Sequence, residues 1–246
     1  MTIISYNHSF AFIHIQKCGG TSIEREWARF VRWGDFVIGS TPEGERIQPV
    51  FRKLYGLEKH TTAARLRAVI GPAAFDRMRS LALIREPLGI IESDYRFAHS
   101  MLDIFLDRPA RTPDQYQALV TRVKEALHVP QHPKIPPFWY SHHGGAIADA
   151  ILAGSFEAYL ARVADDRWHR VLASFVCDEG SRMLVTDVLK LEEPESILAF
   201  FRQSLGFHDF ELRWANRGLD MDTRWPADLR RRLREICAAD YDLFRY

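Results

Sequence analysis

The sequence has few cysteines and no long apolar run. Three cysteines, Cys18, Cys177 and Cys237, occur in 246 residues and form neither a CxxC pair nor a dense framework. This sparse set indicates a reducing compartment. No segment approaches the ~20 apolar residues of a membrane-spanning helix. The opening MTIISYNHSF lacks the basic and apolar regions of a secretory signal. These absences predict a complete, cytoplasmic protein without a transmembrane segment.

The chain also lacks an excess of charge of either sign. A formal net charge of +1 excludes a globally basic nucleic-acid binder. Any affinity for anions must therefore come from locally placed lysines, arginines and backbone amides. The chain has 246 residues, of which 47% are hydrophobic, so it is long enough to bury a full core. We expect one domain over residues 1–246.

Short apolar runs alternate with helical patterns. Strands are predicted at residues 10–15, 81–84 and 183–188 because these runs suit a sheet buried on both faces. Helices are predicted from Thr21 or Ser22 toward Val31 and at 61–70, 115–127, 156–163, 194–205 and 226–239. This alternation predicts a three-layer α/β domain with a mostly parallel central sheet. Residues at about 100–165 are expected to form a helical excursion from this core, on the side where an acceptor substrate would bind.

The first predicted strand runs into a loop suited to an anion. Residues 16–22 read QKCGGTS, after which the pattern becomes helical. Glycines let backbone amides turn toward one point, and the helix start adds unpaired N–H groups. Lys17 supplies a mobile charge, while Thr21 and Ser22 supply hydroxyl donors. The lysine precedes the glycines, unlike the order GxxxxGK[ST], which argues against a Walker-type Mg-ATP site. A simple turn is the alternative.

A second anion-binding element follows the second predicted strand. Residues 85–95 read REPLGIIESDY, and Pro87 can open a helix that carries Ser93. Arg85 at the strand end and Ser93 on the helix can converge on one phosphate. Two such anion-binding elements, each at the end of a strand, fit a ligand with two separate phosphate-type groups.

These two motifs resemble those of sulfotransferases that use 3′-phosphoadenosine 5′-phosphosulfate (PAPS), in particular the carbohydrate sulfotransferases. QKCGGTS resembles PKxGGTS, with Gln16 in place of proline. REPLGIIESDY resembles RDPxxRxxSxY, with Glu86 in place of aspartate and Ile90 in place of arginine. The likeness continues through EKHTTAARLR, FVCDEGSRMLVTDVLKLEE and the last 22 residues, so it covers nearly the whole chain. It implies a sulfotransferase fold, similar to that of P-loop nucleoside triphosphatases, with PAPS as donor and no metal.

The resemblance also implies residue roles. Lys17 would bind the 5′-phosphosulfate and its leaving oxygen, with further donors at Cys18, Gly19, Gly20, Thr21 and Ser22. Cys18 is included only because it lies in the loop, and no nucleophilic role is assigned to it. Arg85 and Ser93 would bind the 3′-phosphate. A histidine between the two motifs suits a general base, which makes His60 the candidate and Glu58 and His14 the reserves. Arg217, in Asn-Arg-Gly, is either a cofactor ligand or part of a turn.

The acceptor is expected to be a hydroxyl of a glycan or glycoconjugate, with a small alcohol or phenol as the alternative. Aromatic faces at Phe138, Trp139 and Tyr140 can stack on sugar rings. Their loop, residues 128–145, is either a substrate-side excursion or a packed connector. Its histidines lack the spacing of a metal site. A kinase-like phosphotransferase using ATP and a non-catalytic nucleotide-binding protein are the rival functions.

Overall fold

A computed structural model describes residues 2–105, 150–165, 172–213 and 221–246, together with residues 118, 121 and 125. The chain divides into two compact units. The first contains Met1–Glu86, Val171–Arg217 and Asp240–Tyr246, and the second contains Pro87–Arg170 and Gly218–Ala239. Most of the predicted acceptor-side excursion lies outside the described residues.

The first unit contains a five-stranded sheet with the order β3-β1-β2-β4-β5. Its strands are β1 (Thr2–Ser5), β2 (Phe10–Ile13), β3 (Phe36–Ile38), β4 (Arg79–Ile84) and β5 (Asp187–Lys190). β1 is antiparallel to both β2 and β3, whereas the pairs β2–β4 and β4–β5 are parallel. β1 therefore runs against the direction that the other four strands share.

The α/β class is confirmed, but the sheet is mixed and not purely parallel. The sequence reading missed β1 and β3. β1 and β2 form a hairpin, which needs only a short turn and no crossover helix. The third predicted strand, residues 183–188, is displaced: β5 begins at Asp187, and Met183 makes only an isolated bridge with Cys177. None of the three cysteines forms a disulfide.

Helices lie between the strands of the first unit and after its last strand. They are α1 (Gly20–Trp27), α2 (Pro42–Tyr55), α3 (Ala63–Ile70), α4 (Pro72–Phe75), α7 (Ala173–Val176), α8 (Pro194–Ala199), a π-helical turn (Phe200–Ser204) and α10 (Ala238–Phe244), which belongs to this unit from Asp240 onward. The predicted stop of α3 before Gly71 is confirmed. Thr62 caps its start, where the hydroxyl accepts from Arg65 N at 3.2 Å. The helix predicted at 194–205 is α8 continued by the π-helical turn.

The second unit contains α5 (Pro87–Phe105), α6 (Phe156–Asp165) and α9 (Ala227–Ile236). α5 begins at Pro87 as predicted, because proline fits the first helical position. The Tyr95 ring lies 5.1 Å from the ring of Phe156 and 5.4 Å from that of Tyr159. Ile90, which stands where the resembling family has arginine, is buried. Among the described residues, no helix is both long and apolar enough to cross a membrane.

An aromatic cluster fixes α1 against the sheet. Trp27, at the end of α1, is fully buried, and its ring lies 4.9 Å from Phe10 on β2 and 5.1 Å from Phe207. Phe201 completes the cluster at 6.4 Å. Since β2 and α1 flank residues 14–19, this packing holds both ends of the predicted phosphate loop.

We expect Trp27→Ala to lower the free energy of unfolding by about 3–5 kcal/mol, because it leaves a large cavity in a close-packed core. Trp33→Ala is the matched control. Trp33 is 97% exposed, so its loss should change stability by no more than about 0.5 kcal/mol. Urea unfolding measures both. Equal effects of the two variants would contradict the core position of Trp27.

Candidate functional site

The predicted phosphate loop, residues 16–22, lies at the carboxyl edge of the sheet. It follows β2, which pairs in parallel with β4 so that Ile13 stands opposite Ala82. The strand after β2 along the chain is β3 and the strand after β4 is β5, and these lie on opposite sides of the central pair. In open α/β sheets, ligands bind where successive connections diverge in this way. The loop therefore lies at the switch point of the sheet.

The loop backbone has the alternating conformation of an anion-binding turn. Lys17 and Gly19 have positive φ angles of 63° and 77°, and the intervening Cys18 does not. Such alternation turns successive amides toward one side. Within the described chain, no side chain caps the start of α1, and Ser22 N donates to Gly19 O at 3.0 Å. The first amides of a helix have no intrahelical acceptor. The loop and helix start together offer N–H groups and a positive dipole end.

Both glycines of the loop are required by their surroundings. At Gly19, a side chain would have to adopt the left-handed φ of 77°. A Cβ there would also approach Leu191, the residue after β5, at 2.4 Å. At Gly20, a Cβ would lie 2.4–2.7 Å from three atoms of the His14 imidazole. The glycine pair thus lets the loop pass between His14 and Leu191.

His14 is held in place by a buried carboxylate. Its Nδ1 lies 2.5 Å from Glu24 Oε1 on α1, and both side chains are buried. Burial lowers the pKa of the His14 imidazole well below its ordinary value, and the charges of Lys59 and Lys17 act in the same direction. Burial raises the pKa of Glu24. The pair therefore favours its uncharged forms, and its hydrogen bond orients the ring against Gly20.

His60, the predicted base, lies directly beside His14. Its Nδ1 donates to the backbone carbonyl of His14 at 3.0 Å, and the two rings meet edge to face at 4.7 Å. A neutral imidazole that donates through Nδ1 keeps a lone pair on Nε2. Burial lowers the pKa of His60 far below its ordinary value, and the two neighbouring rings cannot both be protonated in the buried cluster. His60 is therefore a neutral imidazole in the tautomer that accepts a proton at Nε2.

Arg85 stands at the same edge of the sheet, directly after β4. It is half-buried, and no hydrogen bond or ion pair joins its guanidinium to another described residue. Its neighbour Glu86 is fixed at both ends, because its N–H donates to Glu192 at 2.9 Å and its carboxylate accepts from the Tyr241 hydroxyl. These bonds anchor the backbone beneath Arg85, leaving its side chain able to bind an anion.

The remaining predicted site residues lie in different parts of the chain, and some of them lie outside the described residues. Cys18 is buried, its thiol bonds to the Gln16 carbonyl at 3.4 Å, and its amide donates to Ile15 O. Its side chain therefore belongs to the loop packing. The reserve base Glu58 is half-exposed and pairs with Arg52 at 2.7 Å.

Ser93 lies half-buried on α5 in the second unit, so its convergence with Arg85 stays a prediction. Arg217, the aromatic residues 138–140 and the histidines of the 128–145 loop lie outside the described residues. Within the described part of the chain, no three histidine, cysteine, aspartate or glutamate side chains are grouped to hold a metal ion.

The sequence-based prediction did not include Glu24, which holds His14, or the neighbouring turn at residues 39–40, which contacts the start of α1. Glu24 occupies the buried face of α1 together with Trp27. A carboxylate on the apolar face of an amphipathic helix is a readable signal for a buried partner. Ser40 gave no comparable signal. Its hydroxyl lies 3.5 Å from that of Thr21 because β3 ends beside α1.

Comparison of the chain with protein-family models, curated proteins and solved structures finds no match. The likeness to sulfotransferases therefore depends on the motifs quoted above.

We expect the stability of the protein to fall as the pH falls from about 6.5 to 4.5. The unfolded chain protonates His14 and His60 in this range, whereas their lowered pKa values keep them neutral in the native state. The raised pKa of Glu24 acts in the opposite direction and offsets part of this loss. Each of the two histidines contributes at most about 1.4 kcal/mol per pH unit to the loss.

Urea unfolding of the parent and of His60→Asn at pH 7.5, 6.5 and 5.5 tests this linkage. Asparagine can still donate to the His14 carbonyl but does not titrate. The pH dependence of the variant should therefore be flatter than that of the parent. Parallel profiles would show that His60 has an ordinary pKa in the native state.

Proposed function

We propose that this protein is a sulfotransferase that moves a sulfuryl group from PAPS to a hydroxyl of a glycan or glycoconjugate. The observation that carries the proposal is the Lys17–Ser22 loop at the switch point of the sheet, with the neutral His60 imidazole beside it. The open helix start suits a phosphosulfate anion, and the imidazole suits removal of a hydroxyl proton. The sulfotransferase-like motifs at residues 16–22 and 85–95 add support.

The reaction is an in-line displacement at sulfur. The acceptor oxygen forms a bond to sulfur while the bond from sulfur to the bridging oxygen breaks, and adenosine 3′,5′-bisphosphate leaves with the electron pair. The acceptor proton passes to Nε2 of His60. Negative charge grows on the leaving oxygen, where Lys17 and the amides of Gly19 and Gly20 stabilise it. Positioning of donor and acceptor supplies most of the remaining acceleration.

The low pKa of His60 fits this role once the donor is bound. A neutral imidazole is the form that accepts a proton, but a very low pKa makes it a weak base. An anionic phosphosulfate beside the ring favours the imidazolium and raises the pKa toward the neutral range. The donor complex is therefore the state in which His60 is active.

Arg85 is proposed to bind the 3′-phosphate. Arg85 supports this role because its backbone is anchored through Glu86 and its guanidinium has no partner within the described chain. A guanidinium can form two parallel hydrogen bonds to a phosphate. This contact distinguishes the donor from an ordinary adenosine 5′-phosphate.

Titration calorimetry tests the donor assignment. Adenosine 3′,5′-bisphosphate should bind at least about tenfold more tightly than adenosine 5′-phosphate, since a hydrogen bond to a charged group contributes about 1.5–3 kcal/mol. The affinity should be the same with Mg²⁺ and with a chelator. Arg85→Ala should remove the preference for the bisphosphate, whereas Arg52→Ala, at an exposed ion pair on α2, should keep it. Mg-dependent binding of ATP would favour a phosphotransferase and overturn the proposal.

A turnover assay with labelled PAPS and a panel of glycan acceptors tests His60. His60→Ala should lower kcat by about 100-fold to 10,000-fold, the usual contribution of a positioned base. Its affinity for adenosine 3′,5′-bisphosphate should stay close to the parent value, because the base faces the acceptor. Near-normal turnover in a folded His60→Ala protein would exclude His60 as the base. Binding without turnover in the parent, over the whole panel, would favour a non-catalytic protein.

A further inference from the structure

We propose that this protein forms a homodimer in which the α2 helices of two subunits pack antiparallel against each other. The dimer is independent of the proposed function. Two features of α2 carry the proposal: an exposed row of apolar side chains along the helix, and charges at its two ends that complement a second copy of the same helix.

α2 contributes little to the core, although all of it lies within the described residues. Gly44 is the only buried residue among its 14. A Cβ built on Gly44 would lie 2.2 Å from the carbonyl oxygen of Gly39 and 2.6 Å from that of Val37. The backbone of the first turn therefore lies directly against the end of β3. Most of the other side chains of α2 are exposed to solvent.

Apolar residues on this exposed surface form a continuous row. Val50 is 53% exposed, Leu54 is 63% exposed and Ile47 is half-buried. At 3.6 residues per turn, residues 43, 47, 50 and 54 fall within about 60° of one another around the helix axis. Their alternating separations of four and three residues are those of a seam between two paired helices. Such a row indicates an interaction surface, whereas single exposed apolar residues do not.

The two ends of the row carry opposite charges. Glu43 belongs to the row in the first turn of α2, and Lys53 lies beside Leu54 in the last turn. Neither Glu43 nor Lys53 forms an ion pair with another described residue. Arg52, also in the last turn, is instead paired with Glu58. Within the described chain, the helix therefore offers an unpaired carboxylate at one end and an unpaired ammonium group at the other.

This pattern complements a second copy of the chain. A two-fold axis between Ile47 and Val50 packs Ile47 of each subunit against Val50 of the other. The same axis places Glu43 of each subunit beside Lys53 of the other, so the contact occurs twice. A parallel pairing would instead bring like charges together, which favours the antiparallel arrangement. Because one 14-residue helix per subunit makes a small interface, we expect a dissociation constant of about 1–100 μM.

The helix dipole is the competing explanation for the charges, because a carboxylate at the start and a lysine at the end stabilise any helix. Charge reversal separates the two explanations. Glu43→Lys combined with Lys53→Glu in one chain opposes the dipole at both ends but keeps opposite charges across the interface. Each single variant loses this complementarity. An equimolar mixture of the two single variants restores it, because one subunit then carries two lysines and the other carries two glutamates.

Sedimentation velocity of the full chain over about 1–300 μM, which spans the expected affinity, measures dimerisation. Glu43→Lys and Lys53→Glu should each weaken it by about 10-fold or more, because two-fold symmetry reverses both ion pairs at once. The double variant and the mixture of single variants should recover the parent affinity within about threefold. Leu54→Asp should leave the protein monomeric. Leu243→Asp is the matched control, at a leucine of α10 that is 42% exposed, and should dimerise like the parent.

Three results would decide against the dimer. A parent that stays monomeric over the whole concentration range would overturn it. A dimer with the same affinity in the charge variants and in Leu54→Asp would use another surface. Single variants that weaken the dimer without recovery in the mixture would show that the charges act only within their own helix. Urea unfolding of each variant verifies that folded proteins are being compared.

Discussion

The packing of the His14 imidazole against Gly20 is the constraint on which the candidate site depends. The ring occupies the space that any side chain at residue 20 would need, and Glu24 holds it there at 2.5 Å. The backbone carbonyl of His14 in turn fixes the tautomer of His60. One buried polar contact between the residue after β2 and α1 thus constrains the shape of the candidate anion loop and the orientation of the proposed base.

Such a buried polar cluster has an energetic cost that the surrounding core offsets. Burying polar groups is unfavourable unless each is hydrogen-bonded. Here the burial shifts the pKa of His14 and Glu24 in opposite directions, so the pair avoids two unbalanced charges. The aromatic cluster of Trp27, Phe10 and Phe207 holds β2 and α1 together on either side of the polar contact. The apolar core and the polar site are therefore parts of one strand–loop–helix unit.

Much of this arrangement was readable in the sequence because it is local. Gly19-Gly20 between an apolar run and an amphipathic helix predicts a turn into a helix, and Pro87 and Thr62 mark helix starts that the structure confirms. These features depend on backbone sterics and capping within a few residues. The hairpin of β1 and β2 was missed because its strands are short and one of them lies next to the chain start, where the alternation is weak.

By itself, the sequence determined which residues could bind an anion: Lys17 with its glycine pair, and Arg85 at the end of a strand. Only the tertiary structure decided what surrounds them. The parallel pairing of β2 with β4 brings both residues to one edge of the sheet. Contacts between residues far apart in the chain place Leu191 against Gly19 and Lys59 against Gly39. Periodicity and capping are set by neighbours in the chain, whereas these contacts depend on strand order and on how the helices pack, which no short stretch of sequence specifies.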